Sequence, residues 1–236
     1  TQFTMIKEIY VNGDSWTWGE ELAVDKPDTD TYKYYNTWPW HVKTYLNIPI
    51  LYNDAQGGGS NYRIFRRTID FIRCHKYPEK LFVIIAWTSP DRTEIPVADD
   101  IFYDNGYSKW KENDIKYVRI CKNQKPNTDS LSHRASIAVK KMYKNLVMLD
   151  NMQINDLYLG QQQWIMQEIC KSLGVKLLQC HAFWPIKSVM QKKYLLPDTF
   201  NSMLSSENKC MYGHPNEIGH KIIGQNVSTY IKKNLL

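Results

Sequence analysis

The chain has 236 residues, of which 43% are hydrophobic, and it can therefore bury one sizeable core. Its 30 Lys and Arg against 24 Asp and Glu give a formal net charge of +6. This mild basic excess is spread along the sequence, so it is poor evidence for nucleic-acid binding. Since no run of about 18 apolar residues occurs, no membrane span is predicted.

The predicted elements alternate between strands and helices along the chain. Strands are predicted where short apolar or β-branched runs occur, at 6–12, 48–52, 81–87 and 175–182. Helices are predicted where apolar residues recur every three or four positions, at 38–46, 61–75, 130–146, 157–173 and 216–235. This alternation favours an α/β fold, a three-layer α/β/α sandwich with a central, mostly parallel sheet.

Cysteine usage and the first residues bear on compartment and cofactors. The five cysteines are an odd number without a CxxC pair, which suggests neither a zinc site nor a disulfide framework. The expectation is therefore a soluble protein with reduced thiols in a cytosol-like compartment, with no metal and no cofactor. The first residues lack a basic region followed by an apolar stretch, so no signal peptide is predicted. The oligomeric state stays open.

Two motifs at opposite ends of the chain carry candidate chemistry. Gly13-Asp14-Ser15 follows the first predicted strand, and His214-Pro215-Asn216-Glu217 precedes the last predicted helix. A serine hydroxyl is a poor nucleophile unless a base lies within hydrogen-bond reach and donors stabilise the developing oxyanion. Because this chemistry needs Ser15 and His214 in contact, one domain is predicted over 1–236, with an insertion or lid around 95–130.

A third motif follows the second predicted strand and contains Gly57-Gly58-Gly59. It lacks both the Gly-Lys-Ser/Thr ending of a P-loop and the GxGxxG spacing of a dinucleotide fold. In an open α/β sheet the site lies at the carboxyl ends of the strands. Since Ser15, Gly58 and Ser89 each come shortly after a predicted strand, we expect them at one edge of the sheet.

In order and local sequence, these motifs resemble the SGNH (GDSL-type) hydrolases, a family of serine esterases, over most of the chain. The resemblance implies that Ser15 is the nucleophile and His214 the base. It implies that the backbone N–H groups of Ser15 and Gly58 form the oxyanion hole. It also implies an acyl-enzyme mechanism and a small-molecule or glycan ester as substrate, for example an O-acetyl group on a carbohydrate.

Two positions depart from the family's pattern. The block after the third strand normally supplies an asparagine to the oxyanion, but this chain offers only Thr88 or Ser89 there, with Arg92 as a source of positive charge. The acid that normally stands three residues before the histidine is replaced by Met211. A Ser-His dyad is therefore expected, unless the nearby Glu207 substitutes for the acid.

Further residues are candidates with ordinary structural alternatives. Asp14, Asn61, Trp87 and Arg92 are candidate substrate contacts, although most tryptophans belong to cores. His220 is expected to pack or hydrogen-bond inside the last helix rather than to act in the site. Ser15 taken alone would also fit a helix N-cap.

Two other functions compete with an esterase. The first is a catalytically inactive SGNH-like domain that binds a glycan or a protein partner, suggested by Met211 and by the missing asparagine. The second is nucleic-acid binding through a basic last helix, which carries Lys221, Lys232 and Lys233. This second alternative is the weaker one, and no nucleic-acid partner is predicted.

Overall fold

The computed structural model describes residues 6–23, 26, 28–98, 115–120, 125–126, 133–149, 152–183 and 194–236. The chain divides into two compact units, Thr1–Ser89 with Asp156–Leu236, and Pro90–Asn155. The insertion predicted around 95–130 lies largely outside the described residues and stays a prediction. None of the described helices is long and apolar enough to cross a bilayer.

The elements follow one another in an order close to the predicted one. The first part of the chain forms β1 (Glu8–Asn12), α1 (Ser15–Trp18), α2 (Thr29–Asn36), α3 (Trp38–Leu46), β2 (Ile50–Asn53), α4 (Asn61–Cys74) and β3 (Leu81–Trp87). Then come β4 (Thr93–Ala98), β5 (Ile115–Ile120), α5 (His133–Leu149), α6 (Met152–Ser172), β6 (Lys176–His181) and α7 (Glu217–Asn234).

The first unit is built on a four-stranded sheet in the order β2-β1-β3-β6. All neighbouring strands in it are parallel, with Val11 of β1 opposite Asn53 of β2 and Ile84 of β3. Because the strands are parallel, the loops that follow their carboxyl ends share one edge of the sheet. Ser15, Gly58 and Ser89 lie in three of those loops.

Alternate residues of the strands point to opposite faces, and each face is covered by helices. On one face Ile9 and Ile84 belong to a buried cluster with Trp38 of α3 and Ile223 of α7. On the other face Tyr10 and Val83 belong to a cluster with α4 and α6 residues, which include Ile64 and Met166. The predicted sandwich, a mostly parallel sheet between helices, is confirmed.

The second unit contains an antiparallel ribbon that the sequence analysis missed. β4 and β5 pair from Thr93 opposite Ile120 to Ala98 opposite Ile115. Pro96 lies in the middle of β4 and cannot donate a backbone hydrogen bond, and a proline within an apolar run argues against a strand at the sequence level. Among the described residues β4 pairs only with β5, and a strand with one paired side can accommodate a proline.

Candidate active site

The loop after β1 presents Ser15 on a one-turn helix. The preceding residue, Asp14, is the N-cap, and its Oδ1 accepts a hydrogen bond from the Trp16 N–H at 3.0 Å. A side chain at Gly13 would lie 2.8 Å from Thr17 Cβ and 3.1 Å from Ala86 Cβ. Glycine is therefore required at the start of this turn, which brings α1 directly against β3.

Ser15 and His214 meet across almost the whole length of the chain. The distance from Ser15 Oγ to His214 Nε2 is 3.0 Å. Ser15 is only 5% exposed, while the His214 side chain is 21% exposed. The structure thus brings together the two residues that the sequence predicts as nucleophile and base, at a distance that suits transfer of the hydroxyl proton.

The other ring nitrogen of His214 is held by a residue that the sequence analysis did not single out. Glu21 Oε2 lies 2.7 Å from His214 Nδ1. The same carboxylate accepts hydrogen bonds from the backbone N–H groups of Tyr212, at 3.0 Å, and His214, at 3.3 Å. Glu21 therefore fixes both the imidazole ring and the loop that carries it.

The charge of Glu21 determines the tautomer of His214. Burial acts to raise the pKa of the Glu21 carboxyl, but hydrogen bonds from the His214 ring and from the Tyr212 and His214 backbone N–H groups outweigh it. The pKa therefore lies below its ordinary value. An ionised carboxylate only accepts hydrogen bonds, so Nδ1 carries the proton and the Nε2 lone pair faces Ser15 Oγ.

The backbone at Glu21 is in the left-handed region, with a φ of 67°. Non-glycine residues rarely adopt this conformation, which costs on the order of 1 kcal/mol or more, and it clusters at functional sites. Gly19, with a φ of 80°, ends α1 two residues earlier. The chain reverses tightly here, which returns the Glu21 carboxylate toward the His214 loop.

The sequence analysis looked for the acid within the His214 loop, where Met211 replaces it and Glu207 was the possible substitute, but the carboxylate on His214 comes from Glu21. Met211 is 88% exposed. Glu207 is exposed as well, and its Oε1 accepts a hydrogen bond from Ser205 Oγ instead. The expected Ser-His pair is therefore extended to a third residue, Glu21, which comes from the nucleophile's own loop.

The glycine loop after β2 runs beside the Ser15 turn. The Gln56 N–H donates to Gly13 O at 3.2 Å, and a Cβ on Gly59 would lie only 3.2 Å from the same oxygen. Gly58 has a φ of 69°, a conformation that favours glycine. The loop of the predicted oxyanion donor Gly58 is thus adjacent to the loop of the predicted nucleophile, while the donor role of Gly58 stays a prediction.

Two predicted substrate contacts are engaged in holding the loops together. The buried Asp14 accepts a hydrogen bond from Thr88 Oγ1 at 2.6 Å. Asn61, 5% exposed, accepts from the Thr88 N–H at 2.9 Å and donates to the carbonyls of Thr88 and Ser89, each at 3.2 Å. Through these hydrogen bonds Asp14 and Asn61 connect the loops after β1, β2 and β3. Both residues therefore have a structural role, whereas the sequence analysis predicted that they contact the substrate.

The hydrogen bonds of Asn61 to the loop after β3 are expected to contribute to the stability of the fold. We expect Asn61→Ala to lower the free energy of unfolding by about 3 kcal/mol, because it removes three hydrogen bonds between the Asn61 side chain and the buried backbone of Thr88 and Ser89. Urea unfolding measures this loss. Asn226→Ala is the matched control, since Asn226 is exposed and donates to Ile222 O, and we expect a change below about 0.5 kcal/mol. If both variants lost the same free energy of unfolding, the Asn61 hydrogen bonds would not stabilise the loop after β3.

The remaining predicted site residues have separate outcomes. Trp87 is fully buried in the core, where its Nε1–H donates to Gln179 Oε1 at 2.7 Å, so the predicted substrate contact is wrong. Ser89 is 9% exposed and its carbonyl accepts a hydrogen bond from Asn61. Its role as an oxyanion donor stays a prediction. Arg92 belongs to the second unit, and its predicted role is likewise untested.

His220 behaves as the sequence analysis expects. It is fully buried, and its Nδ1 accepts a hydrogen bond from the Trp38 N–H at 3.1 Å. Burial, with smaller contributions from His41 and His214, lowers the pKa of His220 to about 3. It is therefore neutral and joins α7 to α3. Among the described residues, no group of three or more His, Cys, Asp or Glu side chains could hold a metal ion.

The fold of this chain is similar to that of solved structures. The crystal structure of TesA matches this chain with a TM-score of 0.53 and 13% sequence identity, covering 97% of this chain and 99% of TesA. The chain has the fold of TesA. At this level of identity the likeness shows the fold alone, and it agrees with the predicted sandwich of helices around a mostly parallel sheet.

Two further structures cover similar shares but superpose less well than TesA. The lipase Lip_vut3 from a goat rumen metagenome has a TM-score of 0.44 at 11% identity, covering 94% of this chain and 96% of its own. A member of the lipolytic protein G-D-S-L family from Veillonella parvula DSM 2008 has a TM-score of 0.40 at 11% identity, with 97% of both chains covered. No protein-family model matches the chain, and no curated protein matches its sequence.

Proposed function

We propose that this protein is a serine ester hydrolase that acts through an acyl-enzyme on Ser15. The observation that carries the proposal is the hydrogen-bonded series from Glu21 through His214 to Ser15, with distances of 2.7 Å and 3.0 Å. A base within reach of the hydroxyl, itself oriented by a third group, is the arrangement that activates a serine. The fold shared with TesA adds support but does not by itself assign an activity.

The proposed reaction proceeds in two halves. Ser15 Oγ attacks the ester carbonyl and its proton passes to His214 Nε2, while the carbonyl π electrons move onto the oxygen. Backbone N–H groups of Ser15 and Gly58 stabilise this oxyanion, with Ser89 as a further donor. The intermediate collapses, the bond to the alcohol breaks, and His214 returns the proton to the leaving oxygen. Water then attacks the acyl-enzyme by the same route and releases the acid and Ser15.

Glu21 acts through His214 and does not touch the substrate. Its carboxylate keeps the Nδ1 proton in place and stabilises the imidazolium that forms during each proton transfer. In this proposal the asparagine that the family pattern supplies has no equivalent, so the oxyanion has one strong donor fewer. A missing donor of this kind costs about 2.7–4 kcal/mol in the transition state of a protease, which weakens an enzyme without abolishing it.

The acyl group in this proposal is small, as the sequence analysis suggested with acetate. Acetate carried on a carbohydrate, the finer suggestion of that analysis, is a hypothesis that acetylated sugars test directly. The family resemblance alone fixes no substrate, because one fold supports many activities.

Labelling with a fluorophosphonate, read by intact mass, tests the proposed nucleophile. We expect one adduct on the folded protein and none on Ser15→Ala or His214→Ala, because the reagent needs an activated serine. Ser206→Ala is the matched control, since Ser206 is exposed outside the site, and it is expected to label like the unmodified chain.

The same experiment separates the esterase from the inactive binding domain. A folded protein that takes up no label would favour a domain that binds a glycan or protein partner without turnover. Labelling that persists in Ser15→Ala would place the reactive serine elsewhere and contradict the proposal.

A further inference from the structure

The hydrogen bonds between β1 and β2 are interrupted just before the loops that carry the proposed nucleophile and oxyanion donor. In their last regular contact the Asp54 N–H donates to Val11 O at 2.9 Å. The next hydrogen bond of a regular parallel ladder would join the Gly13 N–H to Asp54 O. Here the Gly13 N–H donates at 2.8 Å to the side-chain oxygen of Asn12, the last residue of β1. Side chains therefore replace the backbone ladder at the start of both loops.

The side chains of Arg63 and Asn12, here called the side-chain bridge, satisfy both of these backbone groups. Arg63, on α4, donates from Nη1 to Asp54 O at 3.0 Å and also contacts Asn12 Oδ1 at 3.5 Å. The two strands are thus joined at this point through a guanidinium and an amide. Beyond the bridge, the Gln56 N–H donates to Gly13 O at 3.2 Å, so the two loops remain in contact.

The bridge is buried, and other contacts hold it in place. Asn12 is fully buried, and its Nδ2 donates to Ile64 O and Thr68 Oγ1 of α4, each at 3.2 Å. The Arg63 side chain is 13% exposed, and its Nη2 lies 3.4 Å from Asp54 Oδ1. Removing a guanidinium from water costs free energy that its ion pair roughly returns. Since a backbone hydrogen bond would satisfy the same groups without burying a charge, the geometry that the bridge imposes explains it better than stability does.

The bridge lies where the relative position of the two loops matters for the proposed reaction. In that reaction the N–H groups of Ser15 and Gly58, one from each loop, bind the same oxygen atom, and such donors must lie about 2.7–3.1 Å from it. We propose that Arg63 is a positioning residue, which sets the distance between these two N–H groups by fixing the separation of β1 and β2 at their carboxyl ends. This inference rests on the proposed function. Arg63 acts through the loops and does not touch the substrate.

Replacement of Arg63 by an uncharged side chain tests this role. We expect Arg63→Gln to lower kcat on p-nitrophenyl acetate by about 10- to 100-fold, because a displacement of about 1 Å is enough for such a loss. KM should change by less than about twofold, since the donors act mainly in the transition state. The affinity for a trifluoromethyl ketone, which adds to Ser15 as an oxyanion, should fall by the same factor as kcat/KM. A loss of stability alone would not link these two quantities.

Arg67→Gln is the matched control. Arg67 is 48% exposed and binds the same Asp54 carboxylate at 3.0 Å and 3.2 Å, but within the described part of the chain it does not reach the bridge. Its kcat should therefore change by less than about twofold. Arg63→Lys keeps a charged donor for Asp54 O, so its kcat should lie between those of Arg63→Gln and the unmodified chain. The pH profile of kcat/KM should be the same in all variants, because His214 and Glu21 keep their contacts.

Three outcomes would overturn the positioning role. They are a kcat of Arg63→Gln within about twofold of the unmodified chain, a loss of kcat without a matching loss of inhibitor affinity, and an equal loss in Arg67→Gln. Thermal unfolding establishes that each variant is folded. If Arg63→Gln is not, Arg63→Lys decides by the same criteria, with an expected loss of at least about threefold in both kcat and inhibitor affinity.

The unmodified protein separates a failure of the bridge from a failure of the proposed function. If it takes up fluorophosphonate and cleaves esters while one of the three outcomes occurs, the role of Arg63 is excluded and the esterase proposal stands. If it neither takes up the label nor cleaves any ester, both fail together.

Discussion

Ser15→Ala and His214→Ala are each expected to lower kcat by about 10⁶-fold, and the double variant is expected to be no worse than either single one. The reason is the 3.0 Å contact between Ser15 Oγ and His214 Nε2. A nucleophile and its base act as a unit, so the loss of one removes what the other contributes. The measurement is kcat on p-nitrophenyl acetate, with thermal unfolding to establish that each variant is folded.

Ser206→Ala and His133→Ala are suitable controls for this pair. Both residues are exposed and outside the Ser15–His214–Glu21 series, so kcat should not change. Losses that simply multiply in the double variant would mean that Ser15 and His214 act independently. A Ser15→Ala protein with full activity would exclude the acyl-enzyme on Ser15.

The central elements were predictable because burial imposes a pattern on their sequence. All seven residues of β3 are buried, and a strand covered on both faces reads as a continuous apolar run. The predicted bounds, 81–87, agree with the structure. The helix predicted at 38–46 also agrees, since α3 has an apolar period and a proline in its first turn.

Two helices of the described chain were missed for the opposite reason. α1 has four residues, too few to show a helical period. α2 has eight residues and none of them is buried, so no apolar stripe marks it in the sequence. A helix that buries no side chains needs no apolar residues at helical spacing, so its sequence does not show the helical period.

The site was predictable where it is made of local motifs and not where it depends on tertiary contacts. Ser15 and His214 each lie in a recognisable motif. Glu21 reaches His214 across 193 positions, and only the one-turn helix and the left-handed backbone that follows bring it there. Trp87 illustrates the same limit, because the last residue of a strand can face either a site or a core, and the sequence does not say which.

Glu21→Gln is expected to lower kcat by about 10²- to 10⁴-fold with little change in KM. In serine proteases the corresponding change costs about 10⁴-fold, because the amide can donate to Nδ1 and favours the wrong tautomer. Nε2 then carries a proton and can no longer accept one from Ser15. Glu21→Asp keeps the charge on a side chain one methylene shorter, so it should recover part of the loss. Glu207→Gln removes an exposed carboxylate of the His214 loop, and we expect no change.

The pH dependence of stability gives an independent measure of Glu21. Its pKa in the folded chain lies below the ordinary value of 4.5, so its ionisation stabilises the fold above that value, and the stabilisation is lost as the pH falls through the lower, folded pKa. The difference in unfolding free energy between the unmodified chain and Glu21→Gln should therefore be largest at neutral pH and shrink as the pH falls below the ordinary value and through the lowered, folded pKa. Urea unfolding at several pH values measures it. A difference that does not vary with pH, together with unchanged kcat, would mean that the carboxylate neither holds a charge-dependent contact nor orients His214, and the site would then work as a Ser-His pair.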